Sequence, residues 1–252
     1  MAHPSNPNYG NGAFRRRIRL RNQSSEQVSA ELEDCNHGFR LIIKHQLQRI
    51  IAIDVEVLRY PLSSCPGATK PLQALVGCRL DDTIGAFKQA SSPRSNCTHL
   101  YDLALLAVKH AQRHQVERIY DVEVPDSMTT KQSMTVHRNG EKIHHWQTDQ
   151  QRIVDPSPLN GKPLMQGFSQ WSQHYFNDAE QLEAALVLQR GYFVARARRV
   201  ELNNRGGEPA INDSMMIGAC YSYSAGVVEQ AIRLPGTVRD FSDKPEQLLT
   251  FQ

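Results

Sequence analysis

Ser133-Met134-Thr135-Val136-His137-Arg138-Asn139-Gly140-Glu141-Lys142-Ile143-His144-His145-Trp146-Gln147-Thr148 is the stretch that decides the fold. Asn-Gly is the dipeptide that most readily takes the positive φ angles of a two-residue hairpin turn. Ser133 to Arg138 and Lys142 to Thr148 on either side read as its two strands. Arg118 to Val124 upstream and Gln151 to Val154 downstream extend this into a β-rich second half, and Pro156, Pro158, Gly161 and Pro163 then mark a connecting loop.

The first half carries the same signature. Phe14, Arg16, Ile18 and Leu20 alternate with Arg15, Arg17, Arg19 and Arg21, the period of a strand, with Arg16 misplaced on the apolar side. Such an arginine-rich strand reads as an exposed edge kept soluble by charge, with an anion-binding face as the alternative. Val28 to Leu32 gives a further strand. Phe39 to His45 and Ile50 to Arg59 form a hairpin over Gln46-Leu47-Gln48-Arg49, and Pro61 ends the run.

Helical periodicity lies between and after these strands. Ser63-Ser64, Pro66, Leu72, Leu75, Val76 and Gly77 outline one helix, and Asp81 to Ala90 a second. Asn96 is placed to cap a third, running to about His114 with Leu100, Leu103, Ala104, Ala107 and Val108 inward. Asn177 with Glu180 is a capping box for a helix reaching at least Arg190. Gly226 to Ile232 and Gly236 to Phe241 read as a helical close. The expected fold is α+β, antiparallel sheet with helices packed on one side. Residues 1–13 are expected to be disordered. Residues 14–252 form a single domain, with lobes 14–116 and 117–252 as an alternative division.

Composition narrows the function. With 29 basic and 26 acidic residues the net charge is only +3, without a basic or acidic tail, which disfavours a dedicated nucleic-acid protein. No apolar run approaches the ~20 residues of a membrane span, and the polar start holds no signal core, so a cytoplasmic protein is expected. Cys35, Cys65, Cys78, Cys97 and Cys220 are odd in number and widely spaced, which reads as free thiols. P-loop, GxGxxG, GxSxG and HExxH motifs do not occur, so nucleotide hydrolases, Rossmann dehydrogenases, elbow-type serine hydrolases and zincins are disfavoured.

Chemistry concentrates at Cys97-Thr98-His99-Leu100-Tyr101-Asp102, where the third helix begins. A helix N-terminus lowers a thiol pKa, and His99 and Asp102 share a helix face, so Asp102 is placed to orient His99. Packing alone is the alternative for all three. Cys65 opens another helix and, with Cys97 and His99, makes a candidate zinc or iron–sulfur set. His110 with His114 and Asp34 with His37 are shorter titratable pairs, the latter at a turn between strands.

Arg59-Tyr60-Pro61, Cys65-Pro66-Gly67-Ala68, Leu75-Val76-Gly77, Asn96 through Ala104, Gly218 through Tyr223 and Gly236 through Phe241 together resemble the bacterial domain-of-unknown-function family 2889. The resemblance runs from about Phe14 to Phe241, is strongest at Cys97-Thr98-His99-Leu100, and implies no reaction. A topological likeness to NifU-type iron–sulfur scaffolds rests on the order of Cys35, Cys65, Gly77 and Cys97. The glycine–serine that follows the scaffold cysteine is missing after Cys65.

The function expected is a small enzyme doing acid–base chemistry on an organic metabolite without a nucleotide cofactor: an isomerase, lyase or hydrolase. His99, Asp102 and Cys97 are the catalytic candidates, and Tyr221, Arg239 and Tyr101 the substrate-binding ones. The alternative is a zinc or iron–sulfur protein using Cys65, Cys97 and His99, with Cys35 as a possible fourth ligand. The partner expected is a small molecule, with no nucleic acid or membrane, in a monomer or homo-oligomer.

Overall fold

Asn139 and Gly140 take φ angles of 51° and 84° and join β6 (Lys131–Arg138) to β7 (Glu141–Asp149), as their chemistry predicts. The structure, a computed structural model, describes residues 4–251. The hairpin belongs to one antiparallel sheet of eight strands, ordered β4-β3-β2-β1-β5-β6-β7-β8. The other members are β1 (Ala13–Ser24), β2 (Gln27–Asp34), β3 (Gly38–Gln46), β4 (Arg49–Arg59), β5 (Glu117–Pro125) and β8 (Arg152–Asp155). β1 pairs with β5 from Ala13↔Pro125 to Arg21↔Glu117, so the two halves of the chain meet within a single sheet.

That pairing corrects the expected edge strand: β1 is interior, flanked by β2 and β5. Its outward arginines do not wait for an external anion either. Arg15 and Arg17 meet Glu123 and Asp121 on β5 at 2.8 and 2.6 Å, Arg21 meets Glu117, and Arg19 meets Glu31 on β2. Neighbouring strands supply the counter-charges as cross-strand pairs.

The opposite face of the sheet is apolar and covered by helices. α3 (Thr98–Ala111) lies over β1, β2 and β3, and α5 (Ala179–Ala195) over β5, β6, β7 and β1. α1 (Thr69–Leu72), α2 (Ile84–Ala90) and α4 (Phe168–Tyr175) are shorter. Leu100, Leu103, Ala104, Ala107 and Val108 are all buried, as the helical periodicity requires.

Helix starts differ by a residue from the expectation. Asn96 is turned inward, its amide donating to Ser91 Oγ and the Ser92 carbonyl, so Cys97 holds the N-cap position of α3. Asp178, not Asn177, caps α5 by accepting the Glu180 N–H. α5 continues through Gly191, where a Cβ would sit 2.6 Å from Val122 Cγ1, so the missing side chain lets helix and sheet approach.

The C-terminal helices are absent among the described residues. Gly226 and Gly236 have φ of 83° and 65°, and the segment hydrogen-bonds to other parts of the chain. Ala210 N–H reaches the Ala231 carbonyl, Arg233 N–H the Glu208 carbonyl and Leu234 N–H the Pro61 carbonyl. Of the expected disordered 1–13, residues 1–3 lie outside the described residues. From Pro4 on, the chain is tied down: Ser5 bridges Val200, Asn6 N–H donates to the Arg199 carbonyl, and the Tyr9 ring lies 4.8 Å from the Arg199 guanidinium. No helix among the described residues is long and apolar enough to cross a membrane.

Candidate functional site

The arginine on the wrong side of β1 begins the site. Arg16 points into the core at 3% exposure, and in register opposite it stands Asp34, fully buried at the end of β2. Arg16 Nε and Nη2 donate to Asp34 Oδ2 at 3.0 and 2.6 Å. Asp34 Oδ1 accepts the backbone N–H groups of Asn36 and His37 at 2.8 and 2.9 Å, an Asx turn that swings the chain from β2 into β3. The same oxygen lies 3.1 Å from His37 Nδ1.

The His37 ring stacks on His99, with centroids 3.9 Å apart and planes inclined by 29°. His99 reaches it from the first turn of α3, which packs over β2. Ligand-type atoms of Asp34, His37 and His99 all lie within 4.8 Å of one another, the only such trio among the described residues. His99 Nδ1 is 3.9 Å from Cys97 Sγ, while its Nε2 is buried without a hydrogen-bond partner.

Electrostatics keeps these groups in unlike states. Burial pushes the Asp34 carboxyl up, but the Arg16 guanidinium, then His37 and His99, outweigh it and hold it well below the usual carboxylate range. Burial, then the charges of His37 and Arg16, push His99 well down against the pull of Asp34, so its imidazole is neutral near pH 7. A neutral imidazole beside a carboxylate-backed one can accept a proton while the other donates.

Two imidazoles and a carboxylate also suggest a metal. Stacked rings direct their lone pairs along nearly parallel planes, and planes only 29° apart meet far outside a metal–nitrogen bond of ~2.1 Å. One ring would have to turn before both could bind a single ion, and Asp34 would have to share oxygens already engaged by Arg16 and two backbone amides.

The residues singled out from sequence fall in different places. Asp102 does not orient His99: its carboxylate meets Arg190 Nε of α5 at 2.8 Å. Burial pushes Asp102 up more than Arg190 draws it down. Cys97 sits half-buried at the N-cap position of α3. Burial raises its pKa, and the amides of Leu100 and His99 oppose this without overcoming it. Tyr101 is buried in the core with its hydroxyl unpartnered and pushed up to about 12 by burial and then Asp102. Tyr221 donates its backbone N–H to the Asn96 carbonyl, and its ring covers Gly67. Arg239 touches the Asp34 turn through its own N–H, which donates to the Cys35 carbonyl at 2.8 Å, while Nη1 donates to the Gly236 and Val238 carbonyls. Cys65 accepts from Ser222 Oγ at 3.4 Å and packs with Leu62 and Tyr223. Neither Cys65 nor the buried Cys35 belongs to the trio.

Arg16 stands out in the sequence as a mismatch, and Asp34 with His37 as a short pair. Nothing local joins them, and the mismatch is the usable signal: a core-facing arginine calls for a core-facing counter-charge.

Residues 19–113 match the family described as protein of unknown function (DUF2889). The resemblance anticipated from the sequence is thereby borne out over that span. The DUF2889 segment runs from within β1 to the turn after α3. It holds Asp34, His37 and His99, whereas Arg16, Tyr221 and Arg239 lie outside it. No curated protein matches the chain.

Proposed function

We propose that the protein is an acid–base catalyst acting on a small organic metabolite without a nucleotide cofactor, with the trio Asp34, His37 and His99 as its reactive centre. His99, neutral and with Nε2 unpartnered, is the base. His37, its Nδ1–H oriented by Asp34, is the proton donor when its Nε2 also carries a proton. The observation that carries the proposal is the buried, unpartnered His99 Nε2, since such an atom in a native protein awaits water, substrate or an ion. Isomerisation, elimination and hydrolysis all fit. Cys97 becomes a wall of the site, and Asp102 with Arg190 a flank of it. Five free thiols accord with a reducing, cytoplasmic setting.

The test is proton exchange. The protein in deuterium oxide, given a panel of carbonyl acids and their esters, is expected to exchange or convert at least one compound, read by proton NMR. His99→Gln and His37→Gln should each lower that rate by about a hundredfold or more. Undiminished turnover in the folded His99→Gln protein would remove His99 from the mechanism.

The convergence of the trio within 4.8 Å supports a second reading, a divalent metal centre reached by rotation of one ring. Elemental analysis of protein purified without air separates the two. Stoichiometric zinc or iron lost in His37→Gln favours the metal, and activity in metal-free protein favours acid–base catalysis.

A further inference from the structure

We infer that Arg59 is a positioning residue for the Asp34–His37 pair and that the segment Leu249–Phe251 latches it in place; this rests on the acid–base reading of the site. Arg59 ends β4 and is 8% exposed. Its guanidinium clamps the turn that carries the pair. Nη2 donates to the Asp34 and His37 carbonyls at 2.6 and 3.3 Å, and Nη1 to the Cys35 carbonyl at 3.0 Å. Three of the four carbonyls between Asp34 and His37 thus converge on one side chain. Nη1 also donates to the Thr237 carbonyl at 3.1 Å, and the guanidinium lies 5.8 Å from the Phe241 ring.

This fork cannot hold its position alone, because a buried cation needs a counter-charge. Glu33, fully buried, supplies it: Oε1 accepts from Arg59 Nη2 at 2.9 Å. Its other oxygen is held by the distant end of the described chain. Leu249 N–H and Phe251 N–H donate to Glu33 Oε2 at 2.6 and 3.3 Å, from residues with φ of 69° and 58°. The Phe251 ring then lies against Gly38, the residue after His37, where a Cβ would be 3.1 Å away, and 5.3 Å from the Arg40 guanidinium.

The chain of contacts is therefore Phe251 and Leu249 on Glu33, Glu33 on Arg59, Arg59 on the turn, and the turn on His37. Undocking the segment strips Glu33 Oε2 of its two N–H donors, loosens the carboxylate that anchors Arg59 and with it the turn, and releases His37 from the single orientation its bond to Asp34 requires. Docked and undocked states of Leu249–Phe251 would then switch the proton donor between held and mobile.

The test reads the imidazole directly. In the full chain, nitrogen-15 NMR is expected to show His37 in one tautomer, with its proton on Nδ1 facing Asp34. Phe251→Ala removes only the outer end of the latch and leaves no buried charge unpaired. It should turn the His37 signals into those of a tautomer mixture and speed amide exchange at 34–37 by at least about tenfold. His144, whose Nε2 lies 2.9 Å from the Gln181 carbonyl on the other half of the sheet, should not change. Glu33→Gln should act in the same direction as Phe251→Ala. Arg59→Gln should act more strongly, and Arg59→Lys should restore part of the wild-type signal. His37 signals and exchange unchanged in Phe251→Ala would overturn the latch. Unchanged signals in a folded Arg59→Gln protein would overturn the clamp. Since these readouts need no substrate, the positioning can fail while catalysis stands, and the reverse.

Discussion

Arg16 breaks the alternation of β1 because Asp34 faces the same buried layer from β2, and each is tolerable only through the other. Arg16→Met leaves the Asp34 carboxylate buried without its main counter-charge, and should cost about 3–5 kcal/mol in urea denaturation. Arg16→Met with Asp34→Leu should recover much of that loss. The site also sets a pH dependence. The folded-state pKa of His99 is depressed, so the unfolded chain takes up its proton first. Stability should be full above the ordinary histidine value of about 6.5 and fall as pH drops below it. Asp34, also depressed, adds a second loss below about pH 4. His99→Gln should flatten the first decline without abolishing it, since burial depresses His110 and His144 in the same direction. Urea midpoints between pH 4 and 8 for both proteins check this, and identical slopes would remove His99 as a contributor. At this scale the sequence marked His99, and separately Asp34 with His37, but helix spacing misassigned Asp102. Neighbourhood on a helix face is local information, whereas Arg190 arrives from a different helix and Asp34 from the end of a strand.

Elements were legible wherever a turn or a period imposed them. Asn139-Gly140 specified its hairpin because few other residues accept those φ angles, and α3 showed its apolar stripe plainly. α4 was missed for a matching reason: its N-cap position is Gly167 at φ 88°, with no side-chain cap to announce it. The stretch after α5 misled because its order comes from ion pairs and not from periodicity. Arg205 and Arg233 both bind the buried Asp213, at 2.8 and 2.6 Å, in a segment of short turns. α5 itself offers a sharp test of element packing. Gly191→Ala would drive a methyl group into Val122 and should destabilise by about 1–3 kcal/mol, read by thermal or urea unfolding. Val122→Ala in the same chain should relieve much of that cost. No loss in Gly191→Ala would mean that α5 has room to shift outward.

At the scale of the molecule, the eight strands form one continuous layer in which β1 joins the two β-rich halves. Unfolding should therefore be cooperative across them. Fluorescence of Trp146 and Trp171, both in the second half, should change at the same urea concentration as hydrogen exchange of β3 amides in the first. Two separated transitions would show that the β1–β5 pairing is weaker than its register suggests. The fold class was readable from the strand and helix patterns, but the strand order was not, because no local signal marks which two distant strands will pair. That order bears on how the chain is made. β1 emerges from the ribosome with β2 close behind it, while β5 follows only after the whole of β3, β4 and the helices through α3. At ordinary synthesis rates the wait is on the order of ten seconds. For that interval β1 has an unpaired margin open to other nascent chains, and its Arg15, Arg17 and Arg21, later neutralised by the carboxylates of β5, serve meanwhile as a mutual repellent between unfinished copies.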